Sequence, residues 1–378
     1  MIPGPTIVSN RVRKVMSDPQ LGHSSEEFYE SFIELLRLSK DVFVTKNGSP
    51  FIFTGSGTVA MESTITSLLE PGDTGLVIDT GYFAQRFGQI LESHGMGVEY
   101  LKFPFGSHAD PAILRERLAK GSYKAAFITH VDTSSTVMNP IYELVAEARK
   151  AGVMSIVDSV CGLGGCDLRF DDLGADVVLG CSQKALAAPP GAAILMLSEN
   201  ASEALENRKS PIPSYYMNLK RWKVLMDDPR IYLATPAVQV MLALRESFKM
   251  ILEEGLEVRW ARHKMMSQAI RAGIDALGLE FVAKEGHRAD TVTGFFVPKN
   301  KAADIRTAMK REYKVEVAKG FGELKDDSLR VGHFGNISKM EVTAFLTSLE
   351  ESLMKFDSQV KKGITLEAAA PYINLEKT

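Results

Sequence analysis

Between about Asn47 and Ser198 the chain alternates two hydrophobic patterns. Short runs are apolar on both faces: "SPFIF", "TGLVIDT", "VEYLKF", "KAAFITH", "VMSIVDS", "ADVVLGCS" and "GAAILMLS". Longer stretches place apolar residues every three or four positions: "VAMESTITSLLE", "FAQRFGQILESHG", "PAILRERLAKG" and "PIYELVAEARKAG". Strands without a polar face, separated by amphipathic helices, predict a mostly parallel sheet covered on both sides.

The pattern changes after Ser198. Residues 211–236 are irregular and rich in aromatics and proline, and one long helical pattern then runs from about Ala237 to Gly278. Beyond it, "LEFVA", "TVTGFFVP", "KVEVA" and "SLRVGHF" read as strands, with helical patterns at about 301–312 and 338–355. This predicts a smaller α+β unit. The expected division is an N-terminal segment (1–20), a large domain (21–254) and a small C-terminal domain (255–378). The tail "GITLEAAAPYINLEKT" carries no readable pattern.

Composition narrows the function classes. The chain has 378 residues, enough for two cores, and its net charge of −3 argues against a nucleic-acid or anionic-membrane binder. No apolar run approaches the ~20 residues that span a bilayer. "MIPGPTIVSNRVRKVM" lacks an apolar signal core, so export is not expected. Three cysteines, Cys161, Cys166 and Cys181, suit buried thiols in a reducing cytoplasm better than a disulfide framework. Their spacing offers no metal-ligand set.

Candidate chemistry sits where open α/β sheets bind ligands, outside the carboxyl ends of strands. After "PFIF" come Ser56, Gly57 and Thr58, opening a helix whose free N–H groups suit an anion. The same residues also suit a plain helix cap. After "MSIV" comes Asp158, either a turn residue or a buried acid awaiting a cation. After "ADVVLG" come Gln183 and Lys184, the lysine standing among small and apolar residues in "SQKALAAPPG". A poorly solvated amine is a competent nucleophile, whereas a snorkelling strand-end lysine is the plainer reading. Anion cradle, acid and lysine at the ends of strands in one sheet together fit pyridoxal 5′-phosphate, which needs all three.

The chain resembles the class V (fold type I) pyridoxal-phosphate aminotransferases, and within them the alanine–glyoxylate/serine–pyruvate aminotransferase family. The resemblance rests on "GSGTVAMESTITSLLEPGD", "DTGYFAQR", "THVDTSSTVMNPI", "VDSVCGLGG", "SQKALAAPPG", "YLATPAV", "LEVRWARH" and "LRVGHFGN", in order over nearly the whole chain. It implies that Lys184 is the Schiff-base lysine and that Asp158 pairs with the pyridine nitrogen. Val160 and Phe83 would cover the two ring faces, with Phe83 standing where the family commonly has tryptophan. Thr133 would bond near the ring hydroxyl, and Ser56, Gly57, Thr58 and Gln183 would hold the phosphate. Tyr232 and Thr235 match residues that reach the neighbouring subunit's phosphate, which implies a homodimer with shared sites. Arg330 matches the arginine that binds the substrate α-carboxylate, a task suited to its planar fork. The family often has an arginine where Ser24 stands. His130 is expected to be a packed residue beneath the site.

The implied activity is transfer of an amino group from serine or alanine to pyruvate or glyoxylate. Ureidoglycine–glyoxylate and 2-aminoethylphosphonate aminotransferases share these motifs and stay open as alternatives. A cysteine desulfurase would need a late cysteine, and none follows Cys181. A nucleotide-binding regulator without turnover would leave Lys184 and Asp158 without a task.

Overall fold

The computed structural model describes residues 1–356 and 359–373. Twelve strands are present among them: β1 (Ser49–Thr54), β2 (Thr74–Asp79), β3 (Gly97–Lys102), β4 (Ala125–Thr129), β5 (Val131–Asp132), β6 (Val137–Met138), β7 (Met154–Asp158), β8 (Val177–Cys181), β9 (Ala192–Leu197), β10 (Val292–Phe296), β11 (Ala318–Lys319) and β12 (Ser328–Gly332). Seven form the main sheet in the order β1-β9-β8-β7-β4-β2-β3. All neighbouring pairs from β8 to β3 are parallel, while β9 runs antiparallel to both β8 and β1.

Alternation within each strand explains why this sheet is covered on both faces. Ile52, Ile78, Ile128, Val157, Val178 and Ile194 point into one core, with Leu35, Leu144 and Phe248 from the helices. Their chain neighbours Phe51, Val77, Phe127, Ile156, Val177 and Leu195 point into the other, with Ile65, Phe87 and Trp222. A strand with no polar face can be buried only between two helical layers. The expected mostly parallel α/β sheet is therefore present.

A second, antiparallel sheet (β10-β12-β11) packs Phe295, Leu329 and Val331 against Ile270 and Phe345 in a third core. The strand read in "LEFVA" is absent there, since only Phe281 makes a bridge, to Phe295. "KVEVA" reduces to β11, because Val315 and Val317 are buried as an extended segment without a ladder partner. The long pattern after Ala237 divides into two helices, Val238–Glu254 and Leu256–Ala276, at Gly255, whose φ of 84° ends the first. Residues 211–236 are not wholly irregular: helix Leu219–Asp227 is capped by Asn218 and buries Leu219 and Trp222. The tail forms helix Ile364–Ile373, packed on Leu256–Ala276. Residues 357–358 and 374–378 of the range expected for the small domain lie outside the described residues.

Candidate active site

The chain leaves β8 into a loop that fixes the lysine. The Ser182 hydroxyl donates to the Pro189 carbonyl (2.6 Å) and accepts from the Ala192 amide, closing the loop at its base. Ala185, Leu186, Ala187 and Ala188 are buried beneath, and Lys184 itself is half-buried. Its ammonium donates to the Pro3 carbonyl. Gly4, at φ 97°, lies so close that a Cβ there would sit 2.7 Å from Lys184 Nζ. Only glycine allows the N-terminal stretch to close over the amine in this way. The Thr6 amide holds that stretch to the Gln183 carbonyl (3.0 Å).

On the neighbouring strand, Asp158 is buried and accepts the Val160 amide at 2.9 Å. Burial pushes its carboxyl up to about 7. The Val160 amide opposes that rise, Asp132 adds to it, and Arg86 and Lys184 oppose it more weakly. His130 lies fully buried beside it, with its amide on the Asp158 carbonyl (2.8 Å) and Nδ1 2.9 Å from the Ser159 hydroxyl. Burial lowers its pKa to about 4, so the imidazole is neutral and packed, as expected.

Ser56 caps helix Gly57–Leu68 by accepting the Val59 amide. A Cβ at Gly57 would stand 2.8 Å from Val160 Cγ2, so this turn presses directly on the Asp158 loop. The Thr58 hydroxyl accepts from Arg86 Nη1 (3.1 Å), and Arg86 lies 4.9 Å from the Phe83 ring centroid. Asp132 fixes the start of helix Tyr82–Ser93 by accepting the Phe83 and Ala84 amides. The reading of motifs missed Arg86 and Asp132. The available signal for Arg86 was its place three residues after Phe83, on the same helix face.

Arg330, on β12, donates Nε to the Lys319 carbonyl (2.9 Å) and Nη1 to the Thr133 carbonyl (2.6 Å). It is buried, and burial lowers its pKa. Among the described residues no carboxylate pairs with it, so much of its five-donor fork is left over. Arg330, Thr133, Phe83 and Lys184 line one cavity of about 500 Å³, together with Pro3, Gly4 and Phe321. Tyr232 and Thr235 are elsewhere: Tyr232 is 66% exposed, bonds Thr235 (3.2 Å) and lines a separate cavity with His23 and Ser24.

These residues fit pyridoxal phosphate. A buried acid with no paired cation is ready for a protonated ring nitrogen. A glycine opens the helix N-terminus beside it. Fold and donor set together define a fold type I pyridoxal-phosphate enzyme. The chain matches the family described as aminotransferase class-V over residues 11–323. It is 34% identical to an uncharacterized aminotransferase of Methanocaldococcus jannaschii, over 96% of this chain and 94% of that protein. It is 33% identical to the alanine–glyoxylate aminotransferase of Oryctolagus cuniculus, over 93% and 91% of the two chains. The crystal structure of ureidoglycine–glyoxylate aminotransferase from Bacillus subtilis superimposes with a TM-score of 0.95 at 29% identity, covering 98% of this chain and 97% of that one. The chain belongs to the class V aminotransferases, which are pyridoxal-phosphate enzymes acting on amino acids and 2-oxo acids.

Proposed function

We propose that this aminotransferase moves the amino group of alanine or serine to glyoxylate or pyruvate in two half-reactions with ping-pong kinetics. The observation that carries the reading is one cavity lined by both Lys184 and a buried arginine that has no carboxylate of its own. Arg330 binds the substrate α-carboxylate through the part of its fork the backbone leaves over. That sets the substrate Cα toward Lys184, whose amine moves the Cα proton. Asp158 holds a proton on the ring nitrogen. Bound here, pyridoxal phosphate supplies an aldehyde that takes up the amino group and a ring that withdraws electrons from Cα. Ser56, Gly57, Thr58 and Gln183 hold its phosphate, Phe83 and Val160 cover the ring faces, and the Thr133 hydroxyl meets the ring hydroxyl.

The exposed Tyr232–Thr235 pair supports a homodimer in which each copy completes its neighbour's phosphate site. Residues 21–254 then carry the cofactor, and residues 255–378 bring Arg330 to it from beyond Gly255. A cytoplasmic setting agrees with three free, buried cysteines. Ureidoglycine as amino donor is the second reading, favoured by the TM-score of 0.95 to the Bacillus subtilis enzyme.

The test is a panel of single half-reactions on the cofactor-loaded protein, followed by the visible absorption of the cofactor. Alanine or serine should bleach the band, and glyoxylate or pyruvate should restore it. Reaction with ureidoglycine or 2-aminoethylphosphonate, with alanine and serine both inert, overturns the substrate assignment.

A further inference from the structure

The cavity that holds Lys184 and Arg330 does not end in solvent on every side. A second cavity, of about 510 Å³, lies against it, lined by Asp79, Gln85, Lys102, Phe105, Ser134 and Glu323 among others. Phe321 lines both. Its ring packs 4.5 Å from Tyr82 and 5.8 Å from Phe83, and Arg330 Cζ lies 5.0 Å from its centroid. The partition between the two spaces is therefore aromatic, and it covers one face of the guanidinium.

We propose that Phe321 is a specificity-determining residue: its ring closes the substrate cavity against the second one and so limits the substrate to a small side chain. The inference rests on Arg330 taking the α-carboxylate and Lys184 facing the Cα. With those two ends held, a longer side chain has to pass the ring that covers Arg330. Beyond that ring the second cavity offers volume, with Lys102 set among the carboxylates Asp79 and Glu323, so it carries no net positive charge. An amino acid with a longer uncharged side chain, such as glutamine, is the substrate that a smaller residue at 321 would admit. The aromatic contacts with Tyr82 and Phe83 hold the ring in its blocking position.

The experiment measures half-reaction kcat/KM for alanine and for glutamine on the cofactor-loaded wild type, Phe321→Ala and Phe321→Leu. The wild type should favour alanine. The glutamine-to-alanine ratio should rise about tenfold or more in Phe321→Ala, with a smaller rise in Phe321→Leu and an unchanged visible band. Where Phe321→Ala fails to fold, Phe321→Leu carries the test, because it keeps an apolar side chain and removes only the ring edge. A ratio unchanged in the folded variants, or a wild type already faster with glutamine, overturns the inference. A wild type inert to both alanine and serine instead defeats the underlying site reading, and does so before any variant is made.

Discussion

Two buried arginines are partnered in opposite ways, and their hydrogen bonds tell them apart. Arg259, on helix Leu256–Ala276, spends every nitrogen inside the protein. Nε donates to the Gly164 carbonyl (3.0 Å), Nη2 to the Ala185 carbonyl (2.7 Å) and Nη1 to Glu254 (2.6 Å). Gly164 belongs to the loop after Asp158, and Ala185 follows Lys184, so one guanidinium ties the acid's loop to the amine's loop. Arg262 and His263 extend the clamp to the Gly335 carbonyl, just past β12. Arg330 is nearly as buried but has two backbone acceptors and no carboxylate. A buried cation with its counter-charge is part of the scaffold, and one without a paired carboxylate is what the proposed substrate site requires.

The largest effect should come from Arg259→Ala. It leaves the half-buried Glu254 with one cation fewer and two carbonyls without a donor. Chemical denaturation should show a loss of about 3–5 kcal/mol. A loss under about 1 kcal/mol would mean that the clamp is incidental. Arg330→Ala reverses the pattern. Stability should fall less than in Arg259→Ala, since two carbonyls lose a donor but no carboxylate loses its partner. The visible cofactor band should persist, and kcat/KM for alanine should fall by about 2–5 kcal/mol, roughly thirtyfold or more. Unchanged turnover would move the carboxylate site elsewhere and erase the contrast.

The most gradual effect, spread over several pH units, concerns Asp158 in the cofactor-free protein. Its folded pKa, about 7, lies above that of an unfolded carboxyl, so the native state holds an extra proton between about pH 4 and pH 7. Stability from this group is full below that window and is lost as pH rises through it. Asp158→Asn removes the loss, so the variant should gain on wild type by about 1.4 kcal/mol per pH unit across the window. Parallel pH–stability curves for the two proteins would show that the acid is not held neutral by burial.

Much of this was readable along the chain, and the failures share a cause. "VMSIVDS", "ADVVLGCS" and "GAAILMLS" became strands because an all-apolar run of that length has no other stable placement between helical layers. "LEFVA" has the same look but lies beside β10 without a ladder, meeting it only through the Phe281–Phe295 bridge, the Val282 amide on the Gly294 carbonyl and the Phe296 amide on the Glu280 carbonyl. Apolar content reports burial, while pairing depends on a neighbour that lies far along the chain. Helix Glu26–Phe43, which supplies Phe28, Phe32 and Leu35 to the core, has a clear stripe and a Ser25 cap that could have been read.

The sequence by itself determined which residues stand at strand ends, because a side chain's place in a period-two strand and the turn that follows are local matters. That is why Ser56, Asp158 and Lys184 were visible as chemistry. Only the tertiary structure decided that β9 runs antiparallel, that Pro3 and Gly4 close over the amine, and that Arg86 joins Thr58 to Phe83. It alone distinguished Arg259 from Arg330, since whether a buried charge is spent or spare depends on acceptors brought from remote parts of the chain. Burial and partnership are properties of three-dimensional neighbours, and a linear pattern contains no such neighbours.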